Sequence, residues 1–220
     1  INFVKMLSDL GHESPIEHIS FTFGIEGVSR SLLAQITRHR IASFSVQSQR
    51  YVKKDNFIYI TPPAISENRE INNIYEKSIL DSFEQYNKIA DMLSEKYYNE
   101  FINSGVSEKQ ARSKAEKKAI EDARFVLPNA CETKMVVTMN ARSLLNFFRL
   151  RCCNRAQWEI RAVAIEMLKL CYKTAPSIFS AAGPACCNGS CSEGKMSCGK
   201  MSEVKKTFSK IKESLKDEEK

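Results

Sequence analysis

The sequence predicts an α+β protein, because segments with the apolar periodicity of strands alternate with segments that have the periodicity of helices. Apolar and polar residues alternate over residues 18–26, which predicts a half-buried strand. A helical apolar period runs through residues 66–103 and predicts one long amphipathic helix or a helix pair. Residues 134–139 are again strand-like. The 220 residues are enough for one sizeable domain, alone or with a tail.

Shorter elements fill the chain between these segments. In order, we expect a helix end over residues 2–10 stopped by Gly11, a short helix over 29–37, an arginine-rich loop, and a brief strand over 57–60. Ser107 and Gln110 predict a capping box for a helix over residues 107–124. Asn140 has the side chain of a helix cap, and a further helix is expected from Ala156 to just before Pro176.

Positive charge is concentrated in segments that contain few carboxylates. The net charge is +7, and residues 27–54 hold four Arg and two Lys without a single acid. Residues 124–157 hold five Arg and one Lys against Glu132 alone. This distribution favours an anion pocket, although pairing of each Arg with an acid from a distant segment is an equally good alternative. No apolar run approaches the length of a membrane span, so we expect no membrane partner.

The densest of these segments reads RHRIASFSVQSQRY and begins at Arg38. Its Arg38, Arg40 and Arg50 have no acidic neighbour, and the planar guanidinium fits phosphate oxygens well. Gln35 lies three residues before Arg38, so both can point from one helix face into the same site. The loop is therefore predicted to bind a phosphate-containing ligand.

Eight cysteines without a secretory signal suggest reduced thiols and a cytoplasmic protein. Four of them (Cys186, Cys187, Cys191 and Cys198) lie after Gly183, in a segment rich in Gly, Ser and Lys. Their spacing is a poor match to a zinc site, so free thiols are favoured over a metal site, which stays open as the alternative. We expect a catalytic domain over residues 1–183 and a tail over 184–220, with a weak helix near its end.

Five ordered segments carry a resemblance to a known family: HESPIEH (12–18), RHR followed after seven residues by Ser48, ARFVLP (123–128), NARSLLNFFRLR (140–151) and RAQWEIR (155–161). Together they resemble the flavin-dependent thymidylate synthases over roughly residues 1–176. Two departures stand out, since Ser45-Val46 replace the usual Asn-Glu and Arg155 stands where some members have His. The first strand and helix of the family are not matched here.

The resemblance implies a central, mainly antiparallel sheet flanked by helices, and a homotetramer whose active sites are shared between subunits. It implies methylation of dUMP to dTMP, with 5,10-methylenetetrahydrofolate giving the carbon and FAD, reduced by NADPH, giving the hydride. The chain has no G-x-G-x-x-G after a strand, so side chains rather than a Rossmann loop would hold the FAD phosphates.

The resemblance also assigns residues to roles. The implied flavin contacts are Ser14, Glu17, Arg38, His39, Arg40, Ile41, Asn140, Arg142 and Asn146. The implied dUMP contacts are Gln35, Arg38, Ser48, Gln49, Arg50, Arg124 and Arg151, with His12 near the flavin ring and the substrate. Arg151, His39 and Ser48 are the candidate catalytic residues. A hydrogen bond to ligand is the favoured role of Ser48, because no His or carboxylate is in an obvious place to deprotonate it.

Two other functions remain as alternatives at this stage. Phe44, Tyr51 and Phe57 lie near arginines and could stack on bases, as in a single-strand nucleic-acid-binding module. A helical scaffold protein would explain the long helix but would leave the arginine-rich loop without a role. We expect small-molecule substrates and no nucleic-acid partner.

Overall fold

The structure, a computed structural model, describes residues 6, 10, 12–49 and 58–217. The chain forms two compact units. The first unit contains the described residues of Ile1–Ile25, Ala34–Ser45 and Met135–Lys220, and the second contains those of Glu26–Leu33 and Val46–Lys134. Most of the helix end predicted over residues 2–10 lies outside the described residues, as do Gly11, Arg50, Tyr51 and Phe57.

Three strands form one antiparallel sheet, which together with the helices confirms the predicted α+β class. The strands are β1 (Ser20–Ser29), β2 (Ser43–Val46) and β3 (Glu132–Asn140), in the order β1-β3-β2. The hydroxyls of Thr22 and Thr138 form a 2.9 Å hydrogen bond between β1 and β3. Phe23 and Ile25 are buried while their neighbours are exposed, so β1 is the half-buried strand that its sequence predicts.

β2 lies in the segment predicted as a loop, and that prediction is wrong for Ser43–Val46. Four residues are too few to display a period of two, but pairing with β3 gives their backbone groups hydrogen-bond partners. Just after β2, the backbone N–H of Gln47 donates to the carbonyl of Lys134 at 2.9 Å. The strand predicted over residues 57–60 is, in its described part, a single bridge between Tyr59 and Cys131.

The helices are α1 (Arg30–Ile36), α2 (Pro63–Ser66), α3 (Arg69–Asn103), α4 (Glu108–Ala123), α5 (Ala141–Arg151), α6 (Trp158–Thr174), α7 (Pro176–Phe179) and α8 (Met201–Asp217). Short 3₁₀ turns occupy Ser14–His18, Arg124–Val126, Ala185–Cys187 and Gly194–Met196. In the described part of the chain, no helix combines the length and apolar character needed to cross a bilayer. The predicted helices after Ala156 and near the end of the chain are confirmed as α6 and α8.

The second unit is built around α3 and α4. α3 is one continuous helix of 35 residues, which decides between the single helix and the helix pair. It starts at Arg69 because the side chain of Asn68 accepts a hydrogen bond from the backbone N–H of Ile71 at 3.1 Å. It ends where Gly105 adopts a positive φ of 83°, a conformation that favours glycine.

α4 packs along α3 through a stripe of small residues. Ala111, Ala115 and Ala119 are almost completely buried, as their spacing predicts, and their small side chains allow the two helices to approach closely. The predicted capping box is wrong. Ser107 occupies the N-cap position of α4, but its side chain makes no capping hydrogen bond.

The first unit has an aromatic core on which the segment after Gly183 also packs. The rings of Phe148 and Phe179 contact each other at a centroid distance of 6.0 Å, and Phe21 of β1 lies 5.4 Å from Phe179. Phe208 and Val204 of α8 are buried, and α8 contacts α6. The end of the chain therefore contributes to the core of this unit, while the proposed division at residue 183 stays a prediction.

Candidate active site

The end of α1 positions the Arg-His-Arg segment. Ile36 is fully buried, and the chain turns directly after it. The backbone N–H of Arg38 donates to the carbonyl of Gln35 at 3.3 Å, and that of His39 donates to the carbonyl of Ile36 at 3.1 Å. This turn leaves Arg38 exposed and His39 half-buried beside it.

α5 brings a second set of predicted residues to His39. The helix begins at Ala141 because the side chain of Asn140 accepts a hydrogen bond from the N–H of Ser143 at 2.8 Å, so the predicted cap is confirmed. At its last residue, Nε of Arg151 lies 3.0 Å from Nε2 of His39. One turn earlier, the buried ring of Phe147 meets the imidazole edge to face, with centroids 4.9 Å apart and planes inclined by 80°.

Among the described residues, no carboxylate pairs with the arginines of this site. Burial, and then Arg151, lower the pKa of His39 below its usual value. Burial, and then Arg38, lower the pKa of Arg151. Among the residues that the structure describes, neither Arg38 nor Arg151 forms an ion pair with a carboxylate. The site therefore presents guanidinium donors and positive potential to any anion that enters it.

Arg142 is held in a separate cluster in the same unit. Its Nε lies 2.8 Å from a carboxylate oxygen of Glu13, and its Nη1 contacts the carboxylate of Glu17. These contacts connect the first turn of α5 to the 3₁₀ turn Ser14–His18, and Glu17 followed by Glu13 raise the pKa of Arg142. The structure thus brings together Glu17 and Arg142, two of the predicted flavin contacts, at the start of the helix that the predicted contact Asn140 caps.

The other predicted residues of the first unit lie at or near its surface. Asn146 is exposed, and its Oδ1 accepts a hydrogen bond from Nη2 of Arg149 at 3.1 Å. Gln35 is half-buried, whereas His12, Ser14, Arg40 and Ile41 are exposed.

A second group of arginines lies in the second unit. Nη1 of Arg30 donates to the backbone carbonyl of Gln47 at 3.4 Å, next to the half-buried Ser48 and Gln49. Burial, followed by the charge of Arg124, lowers the pKa of Arg30. Nε of Arg124 donates to the carbonyl of Glu121 at 3.1 Å, which fixes that guanidinium on the turn after α4. This group contains Arg124, Ser48 and Gln49 of the predicted dUMP contacts.

Comparison with known proteins places this arrangement in a family. The family model described as thymidylate synthase complementing protein matches residues 2–177. A flavin-dependent thymidylate synthase of Clostridium tetani is 57% identical over 206 residues, which are 94% of this chain and 80% of that protein. The chain belongs to the flavin-dependent thymidylate synthase family.

Two further members of the family cover most of the chain as well. The flavin-dependent thymidylate synthase of Geobacter sulfurreducens is 47% identical over 94% of this chain and 79% of its own length. That of Nitratidesulfovibrio vulgaris is 48% identical over 88% of this chain and 73% of its own length. The resemblance inferred from five segments is thereby confirmed.

Two residues outside the predicted set of this thymidylate synthase family member lie beside predicted ones in the structure. Arg30 lies in the acid-free stretch of residues 27–54, which is the signal that could have found it. Phe147 is an apolar residue on the buried side of an amphipathic helix, so its spacing of four from Arg151 does not distinguish it from ordinary core.

None of the eight cysteines of this family member forms a disulfide. Burial raises the pKa of Cys152 and of Cys171 to about 12. Over the described residues, no three His, Cys, Asp or Glu side chains are grouped so that they could hold a metal ion. Cys152 is fully buried, as expected of a packing residue, and its neighbour Cys153 is half-buried.

Proposed function

We propose that this chain is a methyltransferase that converts dUMP to dTMP, with 5,10-methylenetetrahydrofolate as carbon donor and FAD, reduced by NADPH, as hydride donor. Membership of the flavin-dependent thymidylate synthases supports the reaction. The observation that carries the assignment of the site is the contact between His39 and Arg151 beside Arg38, where no carboxylate of the described residues pairs with either guanidinium.

The dUMP phosphate is bound by guanidinium and hydroxyl donors. We assign contacts with dUMP to Arg38 and Gln35, and separately to Arg124, Ser48, Gln49 and Arg50, because the family resemblance implies these residues. A phosphate lowers the electrostatic cost of holding uncompensated guanidiniums, and charge-assisted hydrogen bonds to it are among the stronger ones in proteins. Arg30, which lies close to Arg124, belongs to the group of Arg124.

Arg151 and His39 act on the uracil ring and its surroundings. A fixed guanidinium at the ring edge stabilises the electron density that develops there during carbon transfer, which is the role we assign to Arg151. His39 and His12 line the place where the pyrimidine and the folate meet the flavin. Ser48 acts as a hydrogen-bond donor to the nucleotide.

The hydrogen-bond donors and acceptors that the first unit offers fit FAD. When bound, FAD supplies the hydride. Arg40 and Ser14 are exposed and offer donors for phosphate oxygens, and the amide nitrogen of Asn146 offers another. Glu17 is an acceptor for ribose hydroxyls or ring N–H groups, and Arg142 holds it in place. Asn140 and Ile41 complete the assigned flavin contacts.

A homotetramer with shared active sites is part of the proposal. It is supported by apolar side chains on α3 that a monomer would leave in water, since Ile74, Leu80 and Met92 are 64%, 60% and 73% exposed.

The free thiols fit the reducing cytoplasm, which we propose as the location. The nucleic-acid-binding alternative receives no support from the family relationship.

The flavin absorption spectrum tests this proposal. The purified full-length protein should carry or take up FAD, and added dUMP should perturb the flavin bands. Arg38→Ala should weaken dUMP binding about 10- to 100-fold, because it removes a charge-assisted hydrogen bond of about 1.5–3 kcal/mol.

Arg112→Ala is the matched control, since it removes the same charge from an exposed ion pair with Glu108 on α4. A protein that stays colourless after FAD is added would contradict the proposed function. Equal dUMP affinity in wild type and Arg38→Ala would contradict only the assignment of Arg38.

A further inference from the structure

The imidazole of His39 is fixed from two sides by residues one turn apart on α5. Nε of Arg151 lies 3.0 Å from Nε2 of His39, and the ring of Phe147 lies 4.9 Å away at an angle of 80°. Phe147 itself has no exposed surface, so it cannot move aside without disturbing the core. The backbone of His39 is tied to Ile36 at 3.1 Å, which fixes the ring's point of attachment.

The chemistry of Arg151 determines which ring nitrogen of His39 carries the proton. A guanidinium has five N–H donors and no acceptor, so the nitrogen of His39 that faces Nε of Arg151 must accept. An imidazole nitrogen accepts only when it carries no proton, which leaves the single proton of the neutral ring on the other nitrogen, Nδ1.

The surroundings oppose a second proton. Among the described residues, the charged group beside His39 is Arg151 of α5, and the one beside Arg151 is Arg38 from the segment of His39 itself; both are cations. Among the described residues no carboxylate pairs with either. Phe147 adds an apolar surface against the ring, which disfavours a charged imidazole there.

We propose that Arg151 and Phe147 hold His39 as the neutral imidazole with its proton on Nδ1, which makes Phe147 a positioning residue of the site. His39 then offers a hydrogen-bond donor at Nδ1, suited to a carbonyl oxygen of a bound ring, and adds no positive charge beside Arg151. Because Nε of Arg151 is engaged, its terminal nitrogens are oriented as a fork for the substrate. The statements about ligands rest on the proposed function, whereas the state of the ring does not.

Nitrogen NMR of the histidine rings tests the proposal on the full chain without ligands. Three histidines are present, and His12→Gln and His18→Gln identify the signals of His39 by elimination. The expected spectrum shows an unprotonated Nε2 and a protonated Nδ1. The ring should titrate with a midpoint below the ordinary value of about 6.5. A protonated Nε2 in the neutral ring, or an ordinary midpoint, would overturn the proposal.

Two variants separate the effect of Phe147 on His39 from the effect of a general change in core packing. Phe147→Leu should raise the midpoint toward the ordinary value and keep the proton on Nδ1. Phe148→Leu is the matched control, because Phe148 is equally buried on the same helix and its ring contacts Phe179 and Phe147 instead of His39. An equal shift of the His39 midpoint in both variants would contradict the positioning role of Phe147.

Arg151→Met decides the question if Phe147→Leu does not fold. It should raise the midpoint and populate the Nε2-protonated form, and an unchanged His39 spectrum would overturn the proposal. Because the ring state is read without substrate or cofactor, a protein that shows it but makes no dTMP counts against the proposed function alone.

Discussion

Nε of Arg151 donates a hydrogen bond of 3.0 Å to Nε2 of His39, which joins residues 112 positions apart in the chain. The donor stands at the end of a capped helix, and the acceptor follows the buried end of another. Each residue is held by the end of a helix, so rotation of either side chain would break the hydrogen bond between them. The pair therefore couples the protonation of one side chain to the stability of the first unit.

The unfolding free energy should depend on pH through His39. Its pKa is lower in the folded protein than the value of about 6.5 in an unfolded chain, so the unfolded state binds more protons as the pH falls below about 6.5. Stability is then lost with falling pH in the window between the ordinary and the lowered pKa, by at most about 1.4 kcal/mol per pH unit for one group.

Urea unfolding of wild type and His39→Gln between pH 7.5 and 5, at one protein concentration, measures this dependence. The variant should lack the contribution of His39, so its unfolding free energy should fall less steeply below pH 6.5. Parallel pH profiles for the two proteins would show that the folded state does not suppress protonation of His39.

Arg30 should contribute to nucleotide affinity although it lies outside the matched motifs. It is partly buried beside Arg124, and its Nη1 contact with the carbonyl of Gln47 positions it next to Ser48. Arg30→Ala should weaken dUMP binding about 10- to 100-fold, and Arg30→Lys should recover part of the loss because it keeps the charge without the planar fork.

Calorimetric titration with dUMP measures both Arg30 variants against Arg112→Ala. Equal dissociation constants for Arg30→Ala and the control would assign Arg30 to the scaffold.

α8 should stabilise the first unit of the protein. Phe208 is 2% exposed, and Nζ of Lys212 donates to the carbonyl of Ser180 at 2.7 Å. Phe208→Ala should lower the unfolding free energy by about 3–5 kcal/mol, the usual cost of removing a buried aromatic ring. Lys206→Ala on the exposed side of α8 is the control. Denaturant midpoints that agree for the two variants would mean that α8 adds nothing to the core.

Cys152 should be unreactive in the folded protein. Burial raises the pKa of its thiol to about 12, so at pH 8 only about one molecule in 10,000 carries the thiolate that attacks an alkylating reagent. Peptide mass spectrometry after brief treatment with iodoacetamide should find Cys152 unmodified and the half-buried Cys191 labelled. Labelling of Cys152 at the rate of Cys191, without prior denaturation, would contradict the burial.

The elements that the sequence predicted correctly have local signals. β1 alternates over many residues, α5 starts at a capping Asn140, and the alanine stripe of α4 has a clean helical spacing. β2 has only four residues and depends on pairing with a strand about 90 residues later, so its signal is not local. The capping box predicted at Ser107 is not formed, because its residue pattern allows the capping hydrogen bond but does not require it.

The same difference between local and non-local signals applies to the residues of the candidate site. The family resemblance predicts Arg38, His39 and Arg151 as site residues, and the structure brings His39 and Arg151 into contact. Arg30 has only the weak signal of its acid-free stretch and Phe147 has none, because the significance of each residue comes from the side chain that it faces. The sequence contains the residue types of such contacts, but their partners depend on how the chain folds.

Formation of dTMP is the most direct test of the central claim. The purified full-length protein is incubated with dUMP, 5,10-methylenetetrahydrofolate, NADPH and FAD, and the nucleotides are separated by chromatography. The account predicts dTMP that depends on every one of these components and is strongly reduced in Arg151→Ala but not in Arg112→Ala. A protein that binds FAD and dUMP yet forms no dTMP would contradict it.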